Sequence, residues 1–220
     1  MKIIITGTSG MVGEGVLHEA VNHPKVTEVL VIGRKNSGLK HPKIKELLIP
    51  DFFQATDALS SVKDYDACFF CLGVSSVGMD KDLYEKLTYT LTLGFAQAIL
   101  PNNPNLTFCY ISGSGTDSSE KGRLHWARVK GKTENELLAL GFKDAYAVRP
   151  GYLQPTPGLK NTHPYYAYVK WMYPVFKVLM PAFFSTLAEL GQAMLALTIK
   201  GYEKKHIEVK DILLLAKQSA

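Results

Sequence analysis

Thr6-Gly7-Thr8-Ser9-Gly10-Met11-Val12-Gly13 follows a short apolar, β-branched run, Lys2 to Ile5. It precedes a stretch in which Met11, Val12, Val16, Leu17, Ala20 and Val21 recur at helical spacing until Pro24. The run before it reads as a strand and the stretch after it as a helix, so three glycines spaced by three fall on a strand-to-helix turn. Each glycine has a physical task in that setting. Gly7 permits the sharp turn, Gly10 lets the backbone approach a pyrophosphate, and Gly13 lets the helix pack closely on the strand. The helix N-terminus, with its unpaired N–H groups, then faces the anion. The octet thus points to a dinucleotide-binding βα unit.

The chain outward from the octet keeps the same rhythm. Val26 to Ile32 is strand-like and completes a βαβ unit. Lys43 to Ile49 reads as a third strand, Ala58 to Val62 as a short helix, and Asp66 to Leu72 as a fully buried fourth strand. From Asp80, an expected N-cap, Leu83, Leu87, Leu91, Phe95 and Ala98 mark one helical face up to Pro101. Leu106 to Ser112 is strand five, His125 to Leu140 a helix ending at Gly141, and Ala145 to Val148 strand six. After Pro150 the rhythm breaks into a proline-rich loop, Gly151 to Pro164. Thr186 and Glu189 then form a capping-box pattern opening a helix to Gly201, and Ile207 to Val209 reads as a last short strand. The expected class is α/β: a doubly wound parallel sheet with helices on both faces and a small C-terminal helical extension. Residues 1–220 form a single domain in which 151–220 contribute the substrate-side region, since ligands in such sheets bind outside the carboxyl ends of the strands.

Composition agrees with one folded globule. The 220 residues are 46% hydrophobic and 20% charged, with mean hydropathy +0.01, too apolar for a disordered chain. Twenty-five basic against 20 acidic residues leave +5, a scattered excess that argues for no nucleic-acid partner. Three cysteines cannot make a full disulfide framework and the N-terminus lacks the pattern of a secretory signal, so a reducing, cytoplasmic setting is expected. Cys68 and Cys71 have the spacing of a redox or zinc motif. On a strand, however, residues three apart point to opposite faces, so they read as core cysteines. The apolar tract Tyr165 to Phe184 is interrupted by Pro174 and Pro181 and carries Lys170 and Lys177. It therefore reads as a flap or contact surface, and no stable membrane insertion is expected.

At the end of strand two, where an NAD site carries an Asp or Glu for the ribose hydroxyls, the chain has Gly33-Arg34-Lys35. A guanidinium can hold a 2′-phosphate bidentately and stack on adenine, so NADP(H) is favoured over NAD(H). Asp51-Phe52, just past strand three, has two readings: a carboxylate for the adenine amino group, or a turn aspartate.

These residues, together with Cys71-Leu72-Gly73, Val129-Lys130-Gly131 and Arg149-Pro150-Gly151, resemble the atypical short-chain dehydrogenase/reductases. Within them the chain is similar to the Tat-interactive-protein-like branch, often labelled NAD-dependent epimerase/dehydratase-like, from about residue 2 to residue 155. The resemblance implies a Rossmann fold with Gly7, Thr8, Ser9, Gly10, Met11 and Val12 at the pyrophosphate, Gly33, Arg34 and Lys35 at the 2′-phosphate, and Asp51 and Phe52 at the adenine. Leu72, Gly73 and Val74 would line the adenosine side, with Pro150, Gly151 and Tyr152 beside the nicotinamide. Active members also carry a Ser after strand five and a Tyr-x-x-x-Lys on the next helix.

Here the matching serines are Ser112 and Ser114 and the matching lysine is Lys130, which would hold the cofactor ribose. The position four before it is Trp126. An indole N–H donates a hydrogen bond but has no accessible pKa, so it cannot deliver a proton as a phenol does. Tyr152 is the next candidate donor, whereas the adjacent His125 projects about 100° away and reads as a packing residue. Two functions stand side by side. One is an NADP-dependent oxidoreductase or epimerase/dehydratase-like enzyme acting on a small molecule. The other is a catalytically impaired NADP(H)-sensing or scaffold protein that meets a protein partner.

Overall fold

The computed structural model of the chain describes residues 1–162 and 181–218. Seven parallel strands form the main sheet: β1 (Lys2–Thr6), β2 (Glu28–Gly33), β3 (Ile44–Leu48), β4 (Ala67–Phe70), β5 (Thr107–Ile111), β6 (Asp144–Arg149) and β9 (His206–Glu208). Their spatial order is β3-β2-β1-β4-β5-β6-β9. β1 is central, with Ile3 opposite Val29 of β2 on one side and Ala67 of β4 on the other. The winding direction reverses between β1 and β4, which opens a crevice at their carboxyl ends.

The sheet is buried on both faces, which explains the unbroken apolar runs. Ile3 and Ile5 point into one core with Phe69, Val148 and Ile207, packed under α1 (Met11–Asn22), α6 (Leu187–Lys200) and α7 (Val209–Ala216). Ile4 points into the other with Phe70, Phe108 and Tyr110, covered by α2 (Thr56–Leu59), α4 (Leu91–Ile99) and α5 (His125–Ala139). Burying apolar area at about 25 cal/mol per Å2 on both sides of one sheet is what drives this layered arrangement. Cys68 belongs to the second core and Cys71 packs against the first, so the two thiols are on opposite faces, as the strand period requires.

Local signals place most element ends where the sequence puts them. Asp80 accepts from the Leu83 N–H at 3.0 Å and starts α3 (Lys81–Glu85), which runs through a π-helical turn (Lys86–Thr90) into α4. At α6 the capping box is complete. Thr186 Oγ1 accepts from the Glu189 N–H at 3.0 Å, and Glu189 accepts from the Thr186 N–H at 2.7 Å.

Three details differ from the sequence reading. The short helix lies at Thr56–Leu59 rather than Ala58 to Val62. A two-stranded parallel pair, β7 (Tyr152–Gln154) with β8 (Phe184–Thr186), joins the start of the stretch that reads as loop to the segment between the apolar tract and the Thr186 cap, some thirty residues on. Val209 opens α7 instead of ending a strand, because Glu208 and Asp211 form a second capping box. The C-terminal segment is thus more than an extension. It adds the seventh strand and, with α6 and α7, closes the α1 face of the core. Most of the Tyr165 to Phe184 tract lies outside the described residues. Among the described residues no helix is long and apolar enough to cross a membrane.

Candidate dinucleotide site

The glycine-rich turn leaves β1 beside the chain leaving β4. Gly7 has φ +71°, and a Cβ there would fall 2.6 Å from the Cys71 carbonyl carbon and oxygen, so both the turn and the passing strand demand glycine. At Gly13 a Cβ would meet the Gly7 carbonyl oxygen at 2.2 Å, so the close contact this glycine allows is between helix and turn, one residue beyond the strand. Gly10 is different. A Cβ there would have only the Gly7 oxygen, at 3.5 Å, for company. Nothing among the described residues crowds it, and the space it leaves open is where a bound phosphate would approach the N-terminus of α1.

A cleft of about 460 Å3 opens at this point, lined by Gly7, Thr8, Ser9, Gly33, Arg34, Lys35, Phe52 and Leu72. All eight are among the residues that the family resemblance assigns to a dinucleotide, and they come from the chain at or just past the ends of β1, β2, β3 and β4. Arg34 and Lys35 are exposed there, and the nearest acid on β3, Glu46, is occupied by the N–H and hydroxyl of Ser37, each at 2.7 Å. Phe52 is buried and stacks on Phe95 at 6.0 Å between ring centres, which fixes one wall. Asp51 stays outside the lining. Its carboxylate accepts from the Phe53 N–H at 2.9 Å and the Gln54 amide at 3.0 Å, the hydrogen bonds of a turn aspartate. Gly73 stands in open space and Val74 is exposed just beyond Leu72. Met11 and Val12 are half-buried and pack on the α1-side core.

The second half of the site gathers around the turn after β5. Lys130 Nζ donates to the Ser112 carbonyl and lies 3.9 Å from where a Cβ on Gly113 would stand. On the other side the Trp126 indole edge lies 3.4 Å from the corresponding point on Gly115. Ser114, between them, donates its N–H to the Pro150 carbonyl at 2.9 Å. The structure therefore brings Ser112, Ser114, Trp126, Lys130 and Pro150 together. Burial holds the Lys130 ammonium below its usual pKa, and Glu134 one helical turn on acts in the opposite sense.

Two expected chemical groups are engaged elsewhere. Ser112 is buried and its hydroxyl donates to Glu134 Oε1. Tyr152 stands on β7 with its ring 5.2 Å from Phe184 and its hydroxyl 3.1 Å from Gln154 Oε1. Gly151 is needed where it is because a Cβ would strike the Phe183 carbonyl oxygen at 2.4 Å. His125 packs edge-on against Tyr84 at 6.2 Å, in keeping with its reading as a packing residue.

Sequence reasoning missed what fixes this half. Glu134 is fully buried and receives Arg149, whose Nε lies 3.0 Å from Glu134 Oε1. Arg149 also reaches Glu208 at 3.2 Å and Ser118. The i,i+4 spacing of Lys130 and Glu134, with an arginine closing strand six, was the available signal. Ser118, His206 and Glu134 are close, but hydroxyl and carboxylate meet the same ring nitrogen, Nε2, at 3.4 Å and 3.6 Å. They consequently lack the two-sided histidine of a nucleophile triad.

No protein-family model matches the chain. Among curated proteins it is 28% identical over 159 residues to protein fmp52, mitochondrial, of Emericella nidulans, a match covering 69% of this chain and 66% of that protein. The Saccharomyces cerevisiae protein FMP52, mitochondrial, is 26% identical, with 70% and 66% covered. The match thus spans slightly under two thirds of these relatives. Among solved structures, the UDP-glucose 4-epimerase of Thermotoga maritima superposes with TM-score 0.65 at 14% identity, covering 99% of this chain and 82% of that one. The enzyme WbmF of Bordetella bronchiseptica, in complex with NAD+, superposes with TM-score 0.63 at 15% identity, with 99% and 77% covered.

The cytoplasmic expectation is corrected by the relatives, which are named as mitochondrial proteins. Few cysteines argue against an oxidising setting but do not choose among reducing compartments. The chain has the Rossmann fold of the atypical short-chain dehydrogenase/reductases and NAD-dependent epimerase/dehydratases, and it is a distant homologue of the fungal FMP52 proteins.

Proposed function

We propose that this protein binds a nicotinamide dinucleotide in the β1–β4 crevice, NADP(H) in preference to NAD(H). The observation that carries the reading is the lining of the cleft: an uncrowded Gly10 beside the N-terminus of α1, with Arg34 and Lys35 exposed at the end of β2 and no carboxylate among the described residues of the lining. The α1 N–H groups and the Thr8 to Val12 backbone would hold the pyrophosphate. Arg34 and Lys35 would take the 2′-phosphate, and Phe52, Leu72, Gly73 and Val74 would flank the adenosine. Lys130 would hold the nicotinamide ribose, with Pro150, Gly151 and the chain after them forming the substrate-side wall. When bound, the nicotinamide supplies hydride exchange with a small molecule. The solved neighbour in complex with NAD+ supports the class of ligand.

A second reading concerns turnover. Trp126 holds the position, four before Lys130, that the family resemblance gives to a donor phenol, and an indole cannot deliver a proton; the Tyr152 hydroxyl lies 3.1 Å from Gln154 Oε1. This favours a protein that binds NADP(H) and reduces simple carbonyls slowly, in a sensing or scaffold role, over an efficient oxidoreductase or epimerase/dehydratase-like enzyme. Titration calorimetry with NADP and NAD tests the binding claim. Wild type is expected to prefer NADP, and Arg34→Ala to lose a charge-assisted contact worth about 1.5–3 kcal/mol for NADP alone. Equal affinities in the wild type would remove the basis for the preference, and no binding of either would remove the function.

A further inference from the structure

The loop after β7 returns to the glycine-rich turn. Glu14, in the first turn of α1, accepts from the backbone N–H of Lys160 at 2.8 Å with one oxygen and from that of Asn161 at 2.7 Å with the other. The Asn161 side-chain amide lies 3.5 Å from the carbonyl oxygen of Thr8, a residue of the cleft lining. A carboxylate at a helix N-terminus is stabilised by the helix dipole, yet it sits beside the place proposed for a pyrophosphate, where it would repel the ligand. Chelation of both oxygens by loop N–H groups satisfies that carboxylate and turns it into an anchor. The anchored segment is basic, because Lys160 is its charged residue and is exposed.

We propose that Glu14 is a positioning residue that clasps residues 158–161 onto the glycine-rich turn, making this loop a further wall of the cleft from which Lys160 meets the dinucleotide phosphates. The inference rests on the dinucleotide reading above, but the clasp is read out without ligand. Amide hydrogen exchange at Lys160 and Asn161 is measured on the full chain. Glu14→Ala is expected to accelerate exchange at both amides by at least about tenfold, the loss of charge-assisted bonds, while Lys160→Ala, which keeps its N–H, leaves it unchanged. Should Glu14→Ala fail to fold, Glu14→Gln, which keeps one acceptor oxygen, is expected to leave the Lys160 and Asn161 amides unequally protected. Unchanged exchange in a folded Glu14 variant overturns the clasp.

Affinity provides the second arm. Lys160→Ala is expected to weaken NADP and NAD equally, by about three- to tenfold, because the pyrophosphate is common to both, and to flatten the salt dependence of binding. Wild-type affinity for both cofactors in Lys160→Ala overturns the wall. Binding of neither cofactor by the wild type would instead refute the dinucleotide reading itself, with the exchange difference still reporting on the clasp.

Discussion

The two halves of the crevice are built on different principles. At β1 to β3 the cleft is shaped by backbone: turns, glycines without Cβ atoms, and the end of a helix, with Arg34 and Lys35 left exposed at its rim. At β5 and β6 the same kind of strand ends carry side chains that are already occupied, Ser112 by Glu134, Glu134 by Arg149, and Lys130 by the Ser112 carbonyl. A backbone site is open by default and waits for an anion. A side-chain site has a function only to the extent that its neighbours leave a group unspent, and here they spend most of them. The contrast sets an open, backbone-built cleft beside a half whose polar side chains are engaged with one another.

The largest expected effect separates two glycines three residues apart. Gly13→Ala drives a Cβ to 2.2 Å from the Gly7 carbonyl, backbone against backbone, and is expected to leave little folded protein. Gly10→Ala, whose Cβ would meet the Gly7 oxygen at an ordinary contact distance of 3.5 Å, should melt within a few degrees of wild type and lose dinucleotide affinity instead. Thermal melts and calorimetry on the pair decide whether the first half is a ligand cradle. If Gly10→Ala bound cofactor as well as wild type, the open space there would have no role.

Next comes the side-chain half. Glu134→Ala removes the buried partner of Arg149 and of the Ser112 hydroxyl, and denaturant unfolding is expected to show a loss of about 3–5 kcal/mol. A loss below 1 kcal/mol, the size expected of a surface pair, would mean that this network does not hold the second half together.

Smaller, and directed at chemistry, is Trp126→Tyr. With Lys130 in place, a phenol at the indole position should raise the single-turnover rate of NADPH oxidation for at least one carbonyl in a broad panel, by about ten- to a hundredfold. Adding Lys130→Ala should abolish the gain. Rapid turnover by the unmodified protein, with a pH profile that follows Tyr152 or His125, would instead mark a displaced donor and close the gap between the halves.

The smallest effect is a pH slope. Burial lowers the Lys130 pKa, so its charged form is disfavoured in the folded protein. As pH rises from the folded value toward the ordinary lysine value, the unfolded chain carries the extra proton and folding gains stability, by at most about 1.4 kcal/mol per pH unit for one group. The stability difference between wild type and Lys130→Met should therefore shift in favour of wild type through that window. A flat difference would show that Lys130 is solvated.

Much of this was legible in the sequence because it depends on short-range rules. The Gly7, Gly10, Gly13 spacing, the two-sided burial of Ile3 to Ile5, the Asp80 cap and the Thr186 to Glu189 capping box are each decided within a few residues by backbone sterics and hydrogen-bond geometry. Hence the parallel sheet followed from the sequence by itself, while the placing of Leu72 and Phe52 beside the glycine-rich turn came with the family resemblance. Only the tertiary structure could decide the rest: the pairing of Tyr152–Gln154 with Phe184–Thr186, the seating of Glu134 under Arg149, the bond from the Ser112 hydroxyl to Glu134, and the clasp between Glu14 and the amides of Lys160 and Asn161, 146 and 147 residues away. The physical reason is that a backbone conformation is set by its own residues, whereas the availability of a hydroxyl, a carboxylate or an ammonium is set by whichever distant group folding brings within hydrogen-bond reach.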